Sequence, residues 1–215
     1  MTLKNSYEDA ARASAYAKLE FPGTYSLAFR DLPRILSEHV TGRRALDFGC
    51  GAGRSTRYLR RLGFDAVGVD ISEDMLREAR TIDPGGDYRL IPNGDFAGVS
   101  GCAFDLVLSA FTFDNVPTSR RKVALFRGLS RLLVPHGRIV NLVSSPEIYV
   151  HEWASFSTAA FPENRRARTG DVVRIVNTAT EDRRPVEDIL WPDEAYRDVF
   201  ARAVLDVVTV ERPLG

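Results

Sequence analysis

The hydrophobic pattern changes character near residue 44. Upstream, Tyr7–Leu19 and Leu27–Val40 are rich in Ala and Leu, and they predict two helices separated by the Pro22-Gly23 break. Downstream, short apolar runs alternate with amphipathic stretches. Ala45–Phe48, Ala66–Asp70, Tyr88–Ile91, Phe104–Ala110 and Arg138–Val143 predict strands, and Ser55–Leu62, Glu73–Arg80 and Ser119–Leu133 predict the helices between them. Ser72 stands as an N-cap, with Glu73 and Asp74 in the first turn where the helix dipole favours acids. The nearly continuous apolar run Phe104–Ala110 suits a strand covered on both faces. Strands that alternate with helices imply right-handed crossovers and a mostly parallel sheet, hence a three-layer α/β sandwich.

After Val143 the alternation stops. Residues 144–170 read as loop with helical pieces, Val172–Val176 and Val186–Trp191 as the arms of a hairpin, Asp193–Ala203 as a helix and Val204–Val210 as a final strand. No repeat or linker divides the chain, which predicts one domain. Its expected parts are a helical cap (1–43), a core (44–143), an insert on the substrate side after strand five (144–192) and a C-terminal helix and strand (193–215).

Composition narrows the function. At 215 residues the chain is short for a (β/α)₈ barrel of about 250 residues. Its 29 basic and 29 acidic residues cancel, so there is no bulk attraction to nucleic acid or to anionic membrane. Two cysteines, Cys50 and Cys102, suit neither a disulfide framework nor a zinc site, and no apolar run approaches the ~20 residues of a membrane span. The N-terminus lacks the apolar core of a secretory signal. The expectation is a cytoplasmic protein without metal, nucleic-acid or membrane partners, acting as a monomer or homodimer.

The chemistry concentrates in Leu46-Asp47-Phe48-Gly49-Cys50-Gly51-Ala52-Gly53-Arg54-Ser55, followed by Val67-Gly68-Val69-Asp70. Glycines at every second position after a buried strand let the backbone turn sharply and admit a ligand without Cβ collisions. Asp70, at the end of the second strand, is placed to accept hydrogen bonds from ribose hydroxyls, which predicts a nucleoside site. A G-x-G-x-x-G fingerprint starting at Gly49 would need glycine where Arg54 stands. Asp47 would also confront a pyrophosphate with negative charge. Both departures disfavour a dinucleotide-dependent oxidoreductase, whereas a carboxylate beside the turn suits a ligand carrying an ammonium group.

On these residues, positions 45–143 resemble the cofactor half of a class I S-adenosylmethionine-dependent methyltransferase, which implies a Rossmann-like sheet and S-adenosylmethionine as cofactor. The resemblance implies that Asp47, Gly49, Gly51 and Gly53 hold the amino-acid part of the cofactor and that Asp70 binds its ribose. It implies further that Ile71 and Met75 pack on adenine, and that Asp95, with Phe96 beside the ring, meets the adenine amino group. The fourth strand, through Ser109, ends beneath the transferring methyl, and Leu132–Arg138 resembles the turn before the family's fifth strand. Read from the residues alone, Met75 and Phe96 serve equally as core.

The Asn-Pro-Pro-Tyr type motif of enzymes that methylate DNA bases or protein glutamine is absent, and Ser109-Ala110-Phe111-Thr112 stands in its place. The layout is similar to small-molecule methyltransferases of the ubiquinone or secondary-metabolite type, implying transfer to O or N of a small metabolite. A catalytically silent cofactor-binding module is the alternative. Candidate acceptor contacts are the aromatics Tyr16, Tyr25, Phe111, Phe113 and Trp153. His151 is a candidate base, oriented by Glu152, although both also read as surface residues. The cationic runs at Arg120–Lys122, Arg165–Arg168 and Arg183-Arg184 read as solvated faces. The family closes its sheet with an antiparallel seventh strand beside the fifth. Here either the 172–191 hairpin takes that place or the edge stays open.

Overall fold

The computed structural model describes Ser14, Ala17, residues 23–99 and residues 103–213. The helix expected over Tyr7–Leu19 therefore falls largely outside the described residues, and Tyr16 with it. Two short helices, α1 (Tyr25–Arg30) and α2 (Leu32–His39), lead into β1 (Arg44–Phe48). There follow α3 (Arg54–Arg61), β2 (Asp65–Asp70), α4 (Glu73–Ile82), β3 (Asp87–Leu90), β4 (Phe104–Ala110), α5 (Ser119–Ser130) and β5 (Leu133–Leu142). These five strands form one parallel sheet in the order β3-β2-β1-β4-β5. None of the described helices is long and apolar enough to cross a membrane.

The two faces of this sheet are filled by alternate positions of the same strands. Ala45, Ala66, Leu106 and Leu108 pack with Leu36 of α2 and Leu59 of α3. Leu46, Val69 and Val107 pack with Val123, Phe126 and Leu129 of α5. The latter face also takes Tyr196 and Val199 of a later helix, α6 (Asp193–Arg202). Covering on both sides explains why β1 and β4 carry no polar alternation. Local signals set the helix starts: the Ser72 hydroxyl accepts the Met75 N–H at 3.4 Å, and the Thr118 hydroxyl accepts the Arg121 N–H at 3.2 Å.

Strand β5 begins five residues earlier than the pattern predicts. Leu133 already pairs with Phe104, and the ladder then shifts so that Arg138 lies opposite Leu106. His136, with φ of 66°, lies in the stretch that absorbs the extra residues as an irregularity inside the strand.

The insert forms a second, antiparallel sheet of β6 (Phe156–Ser157), β7 (Val172–Asn177) and β8 (Val186–Ile189), in the order β6-β7-β8. The predicted hairpin is present, but it joins β6 and leaves the main sheet alone. Its apolar side meets the first helix: Tyr25, Tyr149, Phe156, Val173 and Ile175 make one buried cluster, with Phe111 packed against it. The Tyr25 hydroxyl accepts from Asn177 Nδ2 at 3.1 Å, and the Thr24 N–H donates to Ser155 Oγ at 3.1 Å.

The strand expected over Val204–Val210 is not formed. Val204 turns the chain with φ of 62° and is 85% exposed, and the segment after it enters no ladder. It is tethered at its end by Arg34 to Glu211 at 3.3 Å and by the Arg212–Asp193 ion pair. Valines in a β-favouring sequence do not make a strand without a partner edge to supply hydrogen bonds. The outer edge of β5 therefore has no strand neighbour among the described residues.

Candidate active site

The turn between β1 and α3 is closed from behind and from the side. Behind it, Asp47 is fully buried, and one carboxylate oxygen accepts from the hydroxyls of Ser55 (2.7 Å) and Thr56 (2.6 Å) at the start of α3. The other oxygen is buried and has no partner among the described residues. Desolvation pushes this carboxyl up to about 6, against the lowering by its two hydroxyl donors. To the side, Asp70 accepts the Gly51 N–H at 2.8 Å and the Ser72 N–H at 2.9 Å, which ties the turn to the end of β2. Burial raises its pKa too. Gly49 (φ 72°) allows close approach: a Cβ there would collide with the Thr112 side chain, whose hydroxyl donates to Phe48 O at 3.0 Å.

Above the turn runs a continuous cavity of about 1210 Å³. Its floor includes Gly49, Gly51 and Asp70, and its neighbouring wall Ile71, Met75 and Ile91. A carboxylate, open backbone and an apolar wall at the carboxyl ends of parallel strands are the donor set that a ribose and a purine ring require, so these residues fit the cofactor that the resemblance implies. Asp47 and Gly53 stand behind the turn and do not line the cavity: Asp47 supports the helix start instead of reaching a ligand. Asp95 is exposed, its carboxylate taken by the Ala97 N–H at 2.9 Å, and Phe96 packs on Phe48 with ring centres 5.7 Å apart. Neither lines the cavity, whereas Ile91 and Gly94 do. Ser109 lies fully buried within β4, its hydroxyl without a partner among the described residues.

Across the cavity stands an aromatic wall. Phe111 follows β4 in the left-handed region (φ 63°), a strained conformation for a bulky residue and one that concentrates at functional sites. It meets Tyr25 edge-on at 6.0 Å, and Tyr149, Trp153 and Phe156 continue the wall. The Arg54 guanidinium lies 4.6 Å from the centre of the Tyr25 ring. Phe113 differs from the expectation: it is fully buried and stacks on Phe126 at 4.0 Å, because the turn at 112–115 directs it into the core. His151 and Glu152 are exposed and do not line the cavity. Glu152 accepts the Thr158 N–H at 2.6 Å and holds its own loop, and those contacts lower its pKa.

The pattern missed a buried ionic cluster beside this wall. Lys122 of α5 is fully buried, donates to Phe113 O, and lies 4.9 Å from the Trp191 ring and 5.3 Å from the Tyr196 ring. Asp114 and Asp188 flank it; both are buried yet line the cavity. Ser144 N–H donates to Asp114 at 3.1 Å, and the Tyr149 hydroxyl donates to Asp188 at 3.1 Å. Desolvation lifts Asp114 to about 6 and lowers Lys122 to about 8. Lys122 is thus no part of a solvated run. The signal lay in its spacing, since positions 122, 126 and 129 share one helix stripe with Phe126 and Leu129. Arg165, Arg166 and Arg168 are exposed, as expected.

Comparison with known proteins places this geometry. Residues 46–141 match the family model described as a methyltransferase domain. The ubiquinone biosynthesis O-methyltransferase of Methylococcus capsulatus is 35% identical over 104 residues, 46% of this chain and 43% of that protein. That of Xanthomonas oryzae pv. oryzae is 30% identical over 104 residues, 46% of this chain and 42% of that protein. The chain thus spans less than half the length of these two curated relatives. Among solved structures, Streptomyces venezuelae DesVI superposes with a TM-score of 0.65 at 20% identity, over 91% of this chain and 89% of that one. CalS10 of Micromonospora echinaspora, an amino pentose methyltransferase solved with its cofactor bound, gives 0.61 at 22%, over 93% and 90%. At those identities the likeness establishes the fold. The sheet order, the glycine turn and its acid agree with these matches: residues 46–141 are similar to a methyltransferase domain, on a fold shared with solved methyltransferases.

Proposed function

We propose that this protein transfers a methyl group from S-adenosylmethionine to an oxygen or nitrogen of a small molecule. The observation that carries the reading is Asp70: one carboxylate fixes the glycine turn through Gly51 and also lines a cavity that continues to an aromatic wall. When bound, the cofactor supplies a methyl group already activated on a sulfonium sulfur. The protein's part is then to orient and to exclude water, and alignment alone contributes up to roughly 7–11 kcal/mol. Asp70, Gly49 and Gly51 hold the cofactor, Ile71, Met75 and Ile91 cover its ring, and Tyr25, Phe111 and Trp153 flank the acceptor. Related names support the reading, since the curated relatives are O-methyltransferases and CalS10 acts on an amino pentose. On the same reading the protein works in the cytoplasm, as a monomer or homodimer, on no nucleic acid.

Calorimetry with S-adenosylhomocysteine tests the cofactor half. Asp70→Ala removes hydrogen bonds to a charged acceptor, worth about 1.5–3 kcal/mol, so affinity should fall roughly 10- to 150-fold with the far-UV spectrum unchanged. Equal affinity in the variant would overturn the assignment. A labelled-methyl screen over metabolite pools then tests transfer.

A further inference from the structure

We propose that the acceptor is a ring-bearing amine and that Asp114 removes its proton, with Lys122 as the positioning residue. The inference rests on the methyl-transfer reading and adds the acceptor's class and its base. Three observations meet at one wall of the cavity. The first is charge: two buried carboxylates, Asp114 and Asp188, line the cavity beside Lys122, the one fully buried cation among the described residues. The second is shape: the aromatic side chains of Phe111, Tyr149 and Trp153 border the same space, and carboxylates within an aromatic wall recognise cationic nitrogen. The third is position. Asp114 stands four residues beyond the end of β4, on the turn that the left-handed Phe111 initiates, and its carboxylate is oriented by Ser144.

An amine arrives as an ammonium, which has no lone pair to attack with. The ammonium N–H bond must break, its proton passing to the Asp114 carboxylate and its electron pair staying on nitrogen. That pair then forms the bond to the methyl carbon as the carbon–sulfur bond breaks, with the departing pair on sulfur. The groups that face Asp114 are Lys122 from α5, Asp188 from β8, Tyr149 from the 146–149 turn and Tyr196 from α6. Burial raises Asp114, and the hydrogen bonds from Ser144, followed by the attraction of Lys122, the cation among these groups, keep it from rising further. A carboxyl poised near 6 is ionised at neutral pH and remains a competent base.

Three measurements test this, two of them independent of turnover. Saturation-transfer NMR with the S-adenosylhomocysteine complex should detect benzylamine and not benzyl alcohol, and Asp114→Asn should abolish the benzylamine signal or weaken it at least tenfold while S-adenosylhomocysteine still binds. Infrared difference spectra of wild type against Asp114→Asn should show a protonated carboxyl band that titrates near pH 6, with its midpoint moved up in Lys122→Met. In a labelled-methyl assay over matched ring amines and alcohols, amines should be the substrates and Asp114→Asn should cut kcat by roughly 10²–10⁴-fold. Preference for alcohols, full turnover in Asp114→Asn, or a band unmoved in Lys122→Met would overturn the inference while leaving methyl transfer intact. Loss of S-adenosylhomocysteine binding in the wild type would instead sink the underlying reading.

Discussion

At the residue scale the site is a set of acids at unequal depth. Asp70 reaches the cavity, whereas Asp47 lies behind the turn with one oxygen unpartnered. A folded-state pKa of about 6, above the ordinary carboxylate value, means that the native state binds the extra proton between roughly pH 4 and 6. Stability from this group is therefore full below about pH 4 and is lost as pH rises through about 6, a loss of about 3 kcal/mol at most. Asp47→Asn should remove that loss. The urea midpoint difference, variant minus wild type, should grow in the variant's favour from pH 4.5 to 7, and a constant difference would refute it. Asp70 at the cavity was legible in the sequence because a glycine turn is local backbone geometry, whereas the depth of Asp47 was not, because it is set by the Ser55 and Thr56 hydroxyls of the following helix. Lys122 and Asp114 were not, because a lysine in a cationic run is buried only by the helix stripe it shares with Phe126, and by what that stripe meets. His151 failed for the complementary reason: nearness in sequence to Trp153 does not decide which side of a loop faces the cavity.

At the element scale the parallel core follows closely from the hydrophobic pattern, because strands covered on both faces announce themselves as unbroken apolar runs. The ends do not. β5 starts early because Leu133 finds a partner in Phe104, and Val204–Val210 fails as a strand because it finds none. Hydrogen exchange should report the resulting asymmetry. Amides of Ile139–Leu142 that point away from β4 should exchange orders of magnitude faster than those bonded to it. Uniform protection along β5 would mean that its outer edge is covered in solution.

At the scale of the whole molecule, a floor and a roof meet around one cavity. The floor is the parallel sheet with its turn, and the roof is the β6-β7-β8 sheet, pinned to α1 through Tyr25, Asn177 and Ser155. Tyr25→Ala deletes the ring at the centre of that contact, where it meets Phe156 at 5.1 Å and Phe111 at 6.0 Å. Limited proteolysis within 150–180 should then accelerate, while S-adenosylhomocysteine affinity changes by less than about threefold, since the floor keeps its own core. A parallel loss of cofactor affinity would show that the two sheets are one cooperative unit. Among the described residues no backbone ladder joins the two sheets, so exchanging the upper one for another of different shape should leave the strands below paired as they are. The glycine turn and Asp70 would then stay in place while the opposite wall, built by residues 144–192 together with Tyr25 and Phe111, changes shape.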